Sequence, residues 1–300
     1  MHSRVIRDAM RYAPCAILYT LCAMRHALCA IKLSKLKAIL GGSIPFALII
    51  LLYGVHERID QVMLERLASD HVTGLYAAAY RWVDAFMMYL WTILPIFFAR
   101  FAHLQSNIKE QQKHLNFGQI IVSIPMIFVC GFVFIYGEKL LWLLSNSDLE
   151  ELGIMTSCLK ILFIAVLVHG FLAIYGTLLS STGHVKFLNK MMLVSITINI
   201  GLNFLLIPKY GAEAAAFTTV ISTAFLSVAY LLYIHTHMQI RIPFLILLKL
   251  VMITAVFTGT LYILSHTNIE WYVNTFIAGV VLLLAAYIFG LVNISAFKKV

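Results

Sequence analysis

Nine apolar runs, each close to the length of a bilayer-crossing helix, fill most of this 300-residue chain, at 13–31, 38–55, 74–101, 117–136, 153–174, 187–206, 212–233, 243–264 and 271–292. A hydrocarbon core about 30 Å thick takes about 20 helical residues. Inside it every backbone N–H and C=O needs an internal partner, which leaves helices as the form open to such runs. The longest polar connections, 103–115 and 137–152, are too short for a soluble domain. The composition agrees: 62% of residues are apolar and 12% charged, against soluble averages of roughly 45–50% and about 25%. The expected fold is all-α, a polytopic transmembrane bundle of about nine helices.

The formal charge of +9 would point to nucleic acid in a soluble chain. Here the cations sit in short loops between apolar runs, where they orient helices, so no nucleic-acid partner is expected. One set of loops holds Lys32, Lys35 and Lys37, then Arg100, Lys109 and Lys113, then Lys186 and Lys190, then Arg241 and Lys249, and finally Lys298 and Lys299. The positive-inside rule makes these cytoplasmic. The alternate set is rich in acids, from Glu57, Asp60 and Asp70 to Asp148, Glu150, Glu151, Glu213 and Glu270, and belongs outside. Arg4, Arg7 and Arg11 break the pattern. Either the first run does not span, or the sequence starts partway through a longer protein whose earlier helices set its direction.

Two blocks carry more than hydropathy. The first reads Tyr53-Gly-Val-His-Glu-Arg-Ile-Asp-Gln-Val-Met-Leu-Glu-Arg-Leu and continues through Val72-Thr-Gly-Leu-Tyr-Ala-Ala-Ala-Tyr-Arg. The second reads Asn199-Ile-Gly-Leu-Asn-Phe-Leu-Leu-Ile-Pro-Lys-Tyr-Gly-Ala-Glu-Ala-Ala-Ala. Together they resemble oligosaccharide flippases of the multidrug/oligosaccharidyl-lipid/polysaccharide exporter superfamily, the group that contains O-antigen flippases. Members have two lobes of six helices around a central cavity, sometimes with two extra helices.

By that template residues 1–36 are an atypical helix left from the first lobe, 37–234 the second-lobe bundle, and 235–300 two additional helices. The resemblance implies flipping of undecaprenyl diphosphate-type oligosaccharide units across the cytoplasmic membrane for surface polysaccharide. It also implies membrane lipids, the glycolipid, and polysaccharide assembly proteins or a missing first lobe as partners. The sequence contains no phosphate-binding loop and implies no covalent chemistry, so the chain is read as a transporter rather than an enzyme. No cofactor is expected beyond coupling to H+ or Na+. The competing readings are a drug/cation antiporter, an inactive fragment, and a membrane polymerase or ligase, which would need a larger outer loop.

Ionisable residues inside the bilayer are functional-site candidates. Arg81 and Asp84 share a helix face and either neutralise each other or offer Arg81 to an anionic headgroup, whose phosphate oxygens match the guanidinium fork. Arg25 and Lys160 lie within apolar runs, where each lines a cavity or snorkels to an interface. Asp60 falls just past the end of the 38–55 run and reads as a solvated cap or a residue of the outer mouth. Asn199 and Asn203, one turn apart, either glue helices together or contact sugar. Pro208, Tyr210 and Gly211 predict a tight helical hairpin with a very short turn. The spacing of Cys15, Cys22, Cys29, Cys130 and Cys158 gives no metal pattern and reads as small buried side chains.

Overall fold

A computed structural model describes residues 33–105, 107–142, 148–238 and 240–291, with side chains from Ile39 on. The run at 13–31, with Arg25, Cys15, Cys22 and Cys29, lies outside the described residues, as do the side chains of Lys35 and Lys37 and the carboxyl-terminal Lys298 and Lys299. The chain divides into two compact units, 1–48 and 49–300, and the contacts below belong to the second.

Among the described residues seven helices are long and apolar enough to cross a membrane, and there is no strand. In chain order they are α1 (Leu33–Leu67), α2 (Asp70–His103), α3 (Ile108–Trp142), α4 (Leu149–Ser181), α5 (Val185–His237), α6 (Phe244–Ser265) and α7 (Trp271–Ile288). The protein is a multi-pass membrane protein.

The expected count of nine compares with seven among the described residues, because the run at 13–31 lies outside them and two further runs form one element. Two of the predicted runs, 187–206 and 212–233, are arms of the 53-residue α5. They meet at Gly211, whose φ of 58° and ψ of −134° is backbone that a side chain disfavours. Contacts pair residues roughly symmetrically about that point, Asn203 with Thr218 and Asn199 with Ser222, so the arms run antiparallel. The hairpin read from Pro208-Lys-Tyr-Gly is therefore present.

The first two helices also extend beyond their apolar runs. α1 does not stop near residue 55 but continues through the charged segment to Leu67, and only Ala68 and Ser69 separate it from α2. Ser69 caps α2 by accepting from the Val72 N–H at 3.3 Å. The prolines at 45, 95 and 125 lie inside helices, and the non-helical residues within the described helices are Tyr136 and Gly211.

α4 is the centre of the bundle and packs against α2, α3 and α5. Small residues permit the approach: a Cβ on Gly170 would meet Met126 of α3 at 2.7 Å, and one on Gly118 would meet Phe97 and Ile174 at 2.8 Å. α6 and α7 form a pair on α3, with Phe257 against Gly131 and Phe128. Large apolar side chains such as Phe276, Tyr287 and Ile288 point outward, as lipid-facing positions require. Cys130 and Cys158 are buried free thiols, as read from their surroundings.

Contacts also sort the helix ends. Gln105 donates to the Ser181 carbonyl at 2.8 Å, and Gln112 meets the backbone of Arg241, so the three connections rich in Lys and Arg share one end. Lys249 belongs to that end too and donates to the Phe289 carbonyl at 2.7 Å, capping α7. At the opposite end His71 meets Glu151 at 3.3 Å, and Trp142 and Ser265 line one cleft.

Candidate functional site

The most polar point of the interior is built around a carboxylate. Asp60 has no exposed surface, although its sequence position reads as a solvated cap. That reading is corrected because α1 keeps its helical geometry for seven residues past Asp60, which turns the side chain inward onto α2 and α5. Three neighbouring chain segments each supply a donor. Asn203, on the first arm of α5, donates Nδ2 to Oδ1 at 3.0 Å. Tyr76 of α2 donates its hydroxyl to Oδ2 at 3.1 Å, and Thr219, on the second arm, also donates to Oδ2.

A second ring extends this centre. Asn203 donates to Asn199 Oδ1 at 2.9 Å and accepts from Thr218, while Asn199 donates to Ser222 Oγ at 3.4 Å. One turn closer to the opposite end, Ser195 meets His56 Nε2 at 3.2 Å and donates to the Ser222 carbonyl at 2.9 Å. All these side chains are buried. The contact expected of Asn199 and Asn203 across to a neighbour is thus made, by Asn203 to Asp60 and by Asn199 to Ser222.

The charge balance gives the centre its chemistry. Three side-chain donors reach the buried Asp60 carboxylate, and among the described residues no cation pairs with it. Such a site gains by taking up one more positive charge, since burying an underpaired charge is costly.

Of the two readings of Arg81 and Asp84, mutual neutralisation is corrected. Asp84 accepts from Arg58 Nη2 at 2.8 Å, which joins α2 to α1, and the Arg58 guanidinium also stacks 5.2 Å from the Tyr80 ring centre. Arg58 reaches Asp84 because the two helices lie side by side beyond their short turn, a relation that sequence spacing does not reveal. Arg81 is left exposed on α2, and among the described residues its guanidinium has no acidic partner. It lies eleven residues beyond the start of α2 at Asp70, or about 16 Å along the axis.

Lys160 is half-buried on α4 at a similar depth, and it too has no acidic partner among the described residues. The structure does not join it to Arg81 or to Asp60. Next to the Arg58–Asp84 contact a small cavity of about 90 Å³ lies between α1, α2, α4 and α5, with His56, Glu57, Asp84 and His169 among its walls.

Sequence reasoning missed Tyr76, Thr218, Thr219, Ser195, Ser222 and His56 as members of the buried network. A signal existed: Thr218, Thr219, Ser222 and Thr223 form a hydroxyl stripe on an apolar helix, and folding the hairpin at Gly211 lays it against Asn199 and Asn203.

Neither a protein-family model nor a curated protein sequence matches the chain. Among solved structures, the chain is similar to a lipid II flippase, MurJ, in its inward closed conformation, with a TM-score of 0.68 at 13% identity. The likeness is one of fold. It takes in 86% of this chain and 56% of the flippase, so the chain spans little more than half that protein's length.

Proposed function

We propose that the chain belongs to a transporter that flips lipid-linked oligosaccharide units, of the undecaprenyl diphosphate type, across the cytoplasmic membrane for surface polysaccharide. The observation that carries this reading is Arg81. A central arginine in a membrane helix costs about 2.5–3.5 kcal/mol on insertion scales unless water or an anion receives it. Asp84, the acid that sequence spacing offers as its partner, is engaged by Arg58. A guanidinium left unpaired at this depth suits a diphosphate, whose oxygens accept its planar donors in pairs. The fold likeness to a flippase whose name includes lipid II supports the same substrate class.

The Asp60 centre supplies the other half of the proposal. The chain shows no phosphate-binding loop among its motifs, and a buried carboxylate without a cationic partner among the described residues suits coupling to H+ or Na+. A drug/cation antiporter would draw on the same centre, but it would favour acids rather than an arginine without an acidic partner.

The test uses cells whose surface polysaccharide depends on the gene encoding this chain. Arg81→Ala is expected to abolish the polysaccharide at normal protein abundance, and Arg81→Lys to restore it in part, because lysine lacks the fork. Full activity of Arg81→Ala would refute the substrate contact. Asp60→Asn is expected to remove the dependence of transport on one cation gradient, and an unchanged dependence would refute the coupling role.

A further inference from the structure

The connection between α5 and α6 is held in an unusual way. Gln112 of α3 accepts from the Arg241 backbone N–H at 2.8 Å and donates to the Arg241 carbonyl at 2.9 Å, imitating a neighbouring peptide group. The same amide also donates to Asn116 Oδ1 at 3.0 Å, which fixes its orientation. The connection is therefore pinned to α3 at one residue. The side chain of that residue is left over: Arg241 is exposed, and among the described residues its guanidinium has no acidic partner.

Beside it opens a cleft of about 680 Å³, walled by Leu231, Leu232, Met238, Ile240 and Phe244, with His235 as the second basic group on its rim. Leu232 and Phe244 remain 59% and 73% exposed, a lipid-facing wall rather than an interior one. The charge balance here is one-sided. Between Glu213 and Glu270 the sequence contains no acid, and the nearby Glu110 is engaged by Lys113 at 2.6 Å. Apolar walls below an unpaired, backbone-anchored cation fit one class of molecule, an acyl lipid with an anionic phosphate headgroup.

We propose that this cleft binds an anionic phospholipid of the cytoplasmic leaflet, with its phosphate on Arg241 and His235 and an acyl chain along Leu232 and Phe244. Gln112 is the positioning residue, since it sets where the guanidinium stands without touching the lipid. Basic pockets between helices at the cytoplasmic side take anionic headgroups by the same electrostatics. The site lies at the end of the bundle that the positive-inside rule makes cytoplasmic. It is independent of the transport reading, which rests on Arg81 and Asp60.

The test is native mass spectrometry of the purified, delipidated chain titrated with phosphatidylglycerol and with phosphatidylcholine of the same acyl chains. Phosphatidylglycerol is expected to bind more tightly, and Arg241→Ala to weaken it by about fivefold or more, the scale of one basic residue near an anionic surface. Arg241→Lys is expected to bind between the two, and Gln112→Ala to weaken binding although no charge is lost.

Lys109→Ala removes an exposed cation at the same end but outside the cleft, and is expected to leave binding unchanged. Equal loss in Lys109→Ala and Arg241→Ala would overturn the site in favour of general surface charge. Equal affinity for the two lipids, competition by inorganic phosphate alone, or displacement of phosphatidylglycerol by equimolar undecaprenyl diphosphate would overturn it as well. Unfolding temperatures within a degree or so of wild type keep a folding defect from being read as lost binding.

Discussion

Asn203→Ala is the sharpest perturbation of the buried centre, because that one amide serves Asp60, Asn199 and Thr218. A hydrogen bond to a charged group is worth about 1.5–3 kcal/mol, and a neutral polar contact between membrane helices averages about 0.6 kcal/mol. Loss of the charged bond and two neutral ones therefore destabilises the bundle by about 3 kcal/mol. Asp60→Ala removes the anion that made the first bond valuable, so the double variant falls short of additivity by about 1.5–3 kcal/mol. Reversible unfolding in mixed detergent, followed by helical circular dichroism, reads all four corners of the cycle. A coupling below about 0.5 kcal/mol, within the ordinary limits of additivity, would show that Asn203 and Asp60 do not depend on each other.

Further substitutions probe the fold around that centre. Gly211→Ala places a side chain at φ 58° and ψ −134°, and is expected to cost about 1–3 kcal/mol of backbone strain in the same unfolding assay; no loss would contradict the hairpin geometry. Gly131→Ala puts a Cβ at 2.6 Å from the Phe257 ring; about 1–3 kcal/mol of overpacking is expected, read as faster proteolysis of the 238–243 connection, and unchanged proteolysis would contradict the docking of α6 on α3. In a background lacking the native cysteines, Asp148→Cys is expected to react with an impermeant reagent added outside, and Lys109→Cys not to. The reverse labelling would invert the orientation and move the Arg241 cleft to the outer leaflet.

The apolar runs from 38 onward were legible in the sequence because lipid imposes a length, and the gathering of basic connections at one end because loops carry a charge bias, both of which are local. The hairpin was legible too, since Pro208 and Gly211 punctuate an apolar run within four residues. What local patterns do not contain is which faces meet. Asp60 looked solvated because it falls just past the end of an apolar run, yet the helix continues and turns it inward while Arg58 and Glu65 stay exposed. The three-residue spacing of Arg81 and Asp84 allowed a pairing, yet the partner Asp84 takes, Arg58, lies 26 positions away and across a turn. Sequence distance ranks partners within one helix and has no access to the neighbouring one.

The most direct measurement of the central claim is binding of undecaprenyl diphosphate-linked oligosaccharide to the purified chain, compared with the same sugar on an undecaprenyl carrier lacking the diphosphate. The wild-type chain is expected to prefer the diphosphate form, and Arg81→Ala to bind both forms alike. A preference that survives Arg81→Ala, or none in the wild type, would contradict the assignment of Arg81 to the substrate's phosphates.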